Sequence, residues 1–297
     1  MAGAGSSTQW EPDRTVESTL RAAAAVAGGI TVGIVAFLLV GSLPALRAVG
    51  PLRFLTDPSW NPVHGAYNVV PMLVGTLVVT AGAVLLATPL AVASAVFGRF
   101  YVRGALSRTH RRILETLAGI PSVVYGLWGL MVLVPAIARV GPPGQSVLAG
   151  VLVLALMILP TIALVGDTAL GAVPEAHLRG AAAAGLSRWA IARSIALPAA
   201  RSGILTGILL GTGRALGETM AVVMVTGNVV QLPGSVLAPV RTLTANIALE
   251  MAYATDAHRS ALFVSGLVLA LLTIGLVAAV DRIAGRPEGE GTPAHVV

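Results

Sequence analysis

Two residues of opposite charge, Arg214 and Glu218, interrupt an otherwise apolar stretch running from Gly203 to Val225. A charge near the centre of a bilayer costs roughly 2.5–3.5 kcal/mol on the most lenient insertion scale, and such residues usually face a cavity and mark substrate or ion routes. At about 100° per residue, one helix through this stretch puts both on the sector of Gly203, Gly207, Gly211 and Gly217, opposite large aliphatics such as Leu216. The i, i+4 spacing allows an ion pair that pins two helices together. It equally allows a polar route in which Arg214 offers a fork of donors to a phosphate-like anion, with Glu218 weakening the hold so that the anion leaves. A pair kept only for packing has a cheap apolar substitute, which favours the route. Ser122, Tyr125 and Asn228 are the further polar candidates for its wall.

The elements that must position these residues are membrane helices. Of 297 residues, 56% are hydrophobic and 11% charged, and the mean hydropathy is +0.86. No soluble domain of this length needs so much apolar surface. Six apolar spans, about 22–41, 71–97, 113–138, 147–168, 203–229 and 259–281, are each long enough to cross the hydrocarbon. The alternating ten-residue pattern of a barrel is absent, so the fold class is all-α. All 19 basic residues are arginine, so the lysine of a nucleotide-binding P-loop is missing. Without cysteine there are no thiolate metal sites, iron–sulfur clusters or disulfides. The five histidines form no ligand pair at helical spacing. No catalytic site, metal site or cofactor is therefore expected in this chain.

The pI near 10.9 follows from topology, with no nucleic-acid partner implied. Thirteen arginines fall in the two tails and the 98–112 and 169–202 loops, against five in the intervening loops. The positive-inside rule then places both termini in the cytoplasm. Residues 1–21 read as a cytoplasmic tail leading into a retained anchor, because the acids Glu11, Asp13 and Glu17 are unlike a cleaved signal peptide. Pro89, Pro121 and Pro160 lie inside three spans, where each removes a donor and frees the carbonyl four residues back. Freed backbone is tolerated at membrane depth beside a cavity, so three such sites favour a transporter. Two longer loops on the opposite side, 42–70 and 230–258, suit lids, docking surfaces or plain connectors. Within the second, "LTANIALEMAYA" (243–254) has helical character but is too short to span.

The 169–202 loop contains "VPEAHLRGAAAAGLSRWAIARSIALPAARSG" (173–203). It reads as two short helices turning at Gly185, the second capped by Ser187 and stopped by Pro198. Either a docking hairpin or an amphipathic hairpin lying on headgroups has this pattern. The segment resembles the coupling loop of ABC importer permeases: Gly185, Ile195, Leu197 and Pro198 match, and Ala181 and Ala183 occupy small-residue positions. The family's acidic contact falls on Arg179. With "GIPSVVYGLWGL" (119–130), "MILPTIAL" (157–164), "GRALGETMAV" (213–222) and "VPMLVGTL" (70–77), residues 55–282 resemble the phosphate-specific permeases of the PstC type.

That resemblance implies a type I ABC importer permease fold in a bacterial cytoplasmic membrane. It implies a first helix and outer loop (22–70), a permease domain (71–282) and a cytoplasmic tail (283–297). The implied partners are a second related permease (PstA-type), a pair of ATP-binding subunits that hold ATP and Mg, and an extracytoplasmic phosphate-binding protein. Arg214 and Glu218 would belong to the phosphate path. Permeases for molybdate or sulfate, a secondary phosphate–cation transporter and a non-transporting scaffold are the alternatives. A coupling-type loop and a single intramembrane acid, Glu218, argue against the secondary transporter. The topology generates a test, free of background because the chain has no native cysteine. Cysteines introduced at Ser107 and Ser187 should resist membrane-impermeant thiol reagents in intact cells, while one at Ser235 should react. Labelling of Ser187→Cys from outside would overturn the orientation.

Overall fold

A computed structural model describes residues 14–284. Residues 1–13 and 285–297, which hold most of the two expected tails, lie outside the described residues. Four helices are long and apolar enough to cross a membrane. They are α1 (Arg14–Val49), α2 (Val70–Val96, extended by a π-helical turn Phe97–Tyr101), and two later ones at Val147–Gly171 and Asp256–Ala284. Helix α1 overruns the expected 22–41 span at both ends, so the 42–70 loop begins only after Val49. Pro89 and Pro160 sit inside unbroken helices.

Two of the expected spans are not single helices. The 113–138 span consists of α3 (Ala105–Gly119) and α4 (Ser122–Trp128, prolonged by Gly129–Leu133 and Val134–Ala138), which meet at 90°. The cause is Pro121, which has no N–H and disfavours helical backbone at the preceding residue. Ile120 accordingly adopts φ −66°, ψ 130°. After α5 (Val147–Gly171), the coupling-type segment forms α6 (Glu175–Ala183) and α7 (Arg188–Ile191). Helical structure then continues through Ala192–Ala196 and Leu197–Ala199 before a 73° bend into α8 (Arg201–Gly217). The run ends at Ala199, one residue past Pro198, where the bend begins.

The 203–229 span is also corrected: α8 ends at Gly217 and α9 (Met220–Val225) begins after an extended Glu218, φ −67°, ψ 128°. Counting each bent pair as one crossing gives up to six spans. The last two helices are α10 (Leu243–Glu250) and α11 (Asp256–Ala284).

Helices α2 and α5 form the centre. Ala83, Ala87, Ala91 and Ala95 recur every four residues along α2 and are 0–2% exposed. They belong to the buried layers that also contain Leu154, Met157, Ile158, Ile162 and Leu170 of α5. Lipid tails are as apolar as leucine, so association rests on close van der Waals packing between small-residue faces. At one end, the α6–α7 hairpin buries Ala192, Ala196 and Ala200 against Ala95, Val96 and Leu170. At the other, a small hairpin of β1 (Trp60–Asn61) and β2 (Ala66–Tyr67) packs with Met72, Leu243 and Leu262.

Backbone approaches closely at Gly75 of α2, where a Cβ would lie 2.5 Å from the Arg241 carbonyl oxygen. Backbone cannot give way as a side chain can, so Gly75→Ala should cost about 1–3 kcal/mol of stability by overpacking. Gly213→Ala, with nothing within 4 Å of its Cβ, should be neutral or slightly stabilising. Thermal melting of the two purified variants in detergent checks the contrast.

Candidate functional site

Arg214 lies on the last full turn of α8. That helix reaches α5 through glycines: a Cβ on Gly203, Gly207 or Gly211 would fall 2.5–3.1 Å from Ala169, Val165 or Ile162. The glycine face brings Arg214 to α5, where its Nη1 donates to the Thr161 hydroxyl at 3.2 Å. Among the described residues this is its only hydrogen-bond partner, and it has no carboxylate partner. The side chain is half-buried, so most of its donors remain for a ligand. The expected lipid-facing position of Leu216 is not found; it is 4% exposed, packed inside.

Glu218 is not paired with Arg214. The helix break turns it away, and its Oε1 accepts the Ala221 amide at 3.2 Å, satisfying an orphan N–H of α9. The Glu218 backbone carbonyl accepts the Thr244 hydroxyl at 2.9 Å. Thr244 also meets Thr242 at 3.0 Å, while the Thr76 hydroxyl accepts the Leu243 amide at 3.0 Å. With Thr80, these residues line a seam between α2, α8 and α10 that is too tight to hold a water molecule. The two charges therefore face different neighbours, and the polar seam beside Glu218 is closed.

Tyr125 is buried and its hydroxyl donates to the Leu117 carbonyl at 2.7 Å, bridging the Pro121 bend. Ser122, half-buried, opens α4 at the same bend. Asn228 lies apart from these. It has left-handed backbone, φ 56°, and its Nδ2 closes on the Val223 carbonyl at 2.7 Å. Its buried Oδ1 has no partner.

Sequence reasoning missed a charged clamp at the β-hairpin end. Arg241 donates to the Asn228 carbonyl at 2.9 Å, Asn246 Oδ1 at 3.1 Å and Glu250 Oε1 at 2.6 Å. Glu250 Oε2 accepts Trp60 Nε1 at 2.8 Å and lies 2.8 Å from His258 Nε2. Beside it, Arg53 and the Tyr67 amide bond Asp57, and the Arg53 hydrogen bond holds its carboxyl below the usual carboxylate range. Glu250 was in view within "LTANIALEMAYA", but its partners are up to 190 residues away. No local spacing reveals them.

In the coupling-type hairpin, the Leu186 amide bonds the Ala181 carbonyl at 3.2 Å and the Gly185 amide bonds Ala182 at 3.0 Å. With Gly185 at φ +80°, this is a Schellman ending. Ser187 caps the next helix as expected, its Oγ accepting the Ala190 amide at 3.3 Å. Arg179 pairs with Glu175 on the exposed side of α6. Ala181 is buried, Ile195 and Leu197 are half-buried, and Pro198 is exposed. Trp189, 55% exposed, borders an apolar groove with Pro89, Val92 and Phe97 at the end of α2.

The clamp generates a stability test. Removing one partner of a buried pair leaves an uncompensated charge, at about 3–5 kcal/mol. Glu250→Ala should therefore lower the melting temperature sharply or prevent accumulation. Glu250→Gln, which keeps the shape and one acceptor oxygen, should be milder. An unchanged melting temperature for Glu250→Ala would remove the clamp from the account.

Comparison with known proteins agrees with this architecture. The chain is 36% identical over 292 residues to the phosphate transport system permease protein PstC of Mesorhizobium japonicum, covering 91% of this chain and 89% of the relative. It is 37% identical over 264 residues to a probable ABC transporter permease, YqgH, of Bacillus subtilis, covering 86% and 85%. Among solved structures, a chain of a bacterial alginate ABC transporter superposes with a TM-score of 0.64 at 13% identity, covering 91% of this chain and 96% of that one. A chain of the MetNI methionine ABC transporter gives 0.58 at 18% identity, covering 71% and 91%. The fold is that of type I ABC importer permeases. Residues 87–287 match the family model of the binding-protein-dependent transport system inner membrane component, and the chain belongs to that family of multi-pass membrane permeases.

Proposed function

We propose that this chain is a permease subunit of an ATP-driven importer of inorganic phosphate. The observation that carries the reading is Arg214. A guanidinium within the apolar 203–225 stretch, without a carboxylate partner among the described residues, is costly unless an anion visits it. A planar fork of donors suits a phosphate oxyanion better than a point charge does. The relatives named as phosphate transport permeases support the choice of anion. The open arginine replaces the expected Arg214–Glu218 pair. Glu218 acts instead by capping α9 and by joining the hydroxyl seam that shuts the route.

In this reading the α6–α7 hairpin and both termini face the cytoplasm. ATP and Mg are held by a separate pair of ATP-binding subunits docked on the Gly185–Trp189 side of the hairpin. A PstA-type permease completes the channel, and an extracytoplasmic phosphate-binding protein docks on the β-hairpin end. The acid at the base of the hairpin is Glu175, tied to Arg179.

Radiolabelled phosphate uptake, normalised to assembled complex, tests the route. Hydrogen bonds to charged groups contribute about 1.5–3 kcal/mol. Arg214→Lys, which keeps charge but loses the fork, should therefore cut uptake about tenfold or more with assembly intact. Near-normal uptake by Arg214→Met would sink the proposal, and molybdate or sulfate uptake in place of phosphate would reassign the substrate. For coupling, Gly185→Asp forces a side chain onto a left-handed backbone position. It should reduce co-purification of the ATP-binding subunits and uptake together, while membrane insertion persists.

A further inference from the structure

A second basic site lies outside the route. The π-helical turn at the end of α2, the amphipathic α3 and the end of α5 enclose a cavity of about 230 Å³. Arg99, Ser107, His110, Arg111 and Asp167 line it. Arg111 is oriented by Glu115 at 2.8 Å and Asp167 at 3.4 Å. His110 is fixed through its Nε2 by Ser94 at 3.0 Å, with its Nδ1 edge against Gly98 at the cavity wall. Arg99 has no hydrogen-bond or carboxylate partner among the described residues. Of the five arginines between 99 and 112, Arg99 and Arg111 reach the cavity, where Arg111 is engaged by Glu115 and Asp167 and Arg99 is not. The cavity is therefore donor-rich, with the Arg99 guanidinium uncommitted, and, at about 30 Å³ per water, roomy enough for a tetrahedral oxyanion with waters.

Its position narrows the ligand. Helix α3 runs at 90° to the segment that follows. It leaves Leu106 63% and Ile113 55% exposed, next to Arg108 and Arg112. An apolar stripe flanked by arginines, lying across the span direction, places a helix in the headgroup layer. The cavity begins at Leu164, three residues or about 4.5 Å along α5 from Thr161, and extends to Asp167 toward the hairpin end. We propose that this cavity binds a phosphate group through Arg99, Ser107 and His110. The source is the headgroup of an anionic phospholipid or free inorganic phosphate. This goes beyond the import route and uses none of its residues.

The test uses the assembled complex, delipidated in detergent and carrying Arg214→Met so that the route itself contributes no phosphate binding. Native mass spectrometry with phosphatidylglycerol against phosphatidylcholine reads the lipid arm. Equilibrium binding of radiolabelled phosphate without lipid reads the other. The expected result is selective retention of phosphatidylglycerol, or phosphate binding, that falls about tenfold with Arg99→Gln and falls with Ser107→Ala. Arg139→Gln, at the opposite end of α4, should leave it unchanged. Lipid retention that phosphate does not displace assigns the headgroup; saturable phosphate binding without lipid assigns the free ion. Equal binding by folded Arg99→Gln and the parent, or no binding in either arm, overturns the proposal. None of these readouts depends on transport, so failure here leaves the Arg214 uptake result standing and the reverse.

Discussion

Inside a bilayer every backbone amide and carbonyl must find its partner within the protein, and two of the breaks in these helices are answered by named side chains. At Pro121 the interrupted α3 would leave carbonyls of its last turn open; the Tyr125 hydroxyl returns across the bend to Leu117. At Glu218 the first amides of α9 would be orphaned; its carboxylate takes one of them. The Glu218 carbonyl, exposed by the same break, is taken by Thr244. Polar side chains at this depth are thus partly committed to repairing backbone. Arg214 stands out because it repairs nothing.

This distinction separates what could be read from the sequence from what could not. The six apolar spans, the hairpin turn at Gly185, the Ser187 cap and Arg214 are local features. Hydrophobic period, a glycine or a lone charge is enough to find them. The Arg214–Glu218 pairing failed because a helical wheel assumes one continuous helix. Gly217 and Thr219 are both weak helix formers, and the Glu218 carboxylate favours an alternative bond to the α9 amide. Hydropathy sees no difference between a continuous apolar span and one with a break of two residues. Thr76, Thr80, Thr242 and Thr244 were silent for another reason: a threonine in a membrane helix ordinarily bonds its own turn, as Thr76 also does to Met72 at 2.8 Å. Only the arrival of α10 gives these hydroxyls a common seam.

The small-residue faces on α2 and α8 explain why so few side chains carry the site. When helices meet through glycine and alanine, crossings are close and lateral freedom is low. Arg214 is consequently aimed by Gly203, Gly207 and Gly211 more than by its own contacts. The same closeness puts the Gly75 backbone against Arg241, so the charged clamp and the central helix pair share one contact.

Helix α10 is the element on which these constraints converge. Its capping residue Thr242 and its second residue Thr244 are in the closed seam. Its last residue, Glu250, is the centre of the clamp that holds Trp60, Arg241 and His258. Eight residues of helix span about 12 Å and bend little over that length. Opening the seam requires Thr244 to leave the Glu218 carbonyl, and α10 can make that movement only by turning or sliding as a body. Either motion displaces Glu250 relative to Trp60, whose indole meets Tyr67 edge-on within the hairpin, Tyr67 in turn stacking on Phe54. The hairpin and the seam are therefore joined through one short rigid helix. A force applied to the loops at that end has a direct mechanical path to the hydroxyls beside Glu218, without any contact to Arg214 itself.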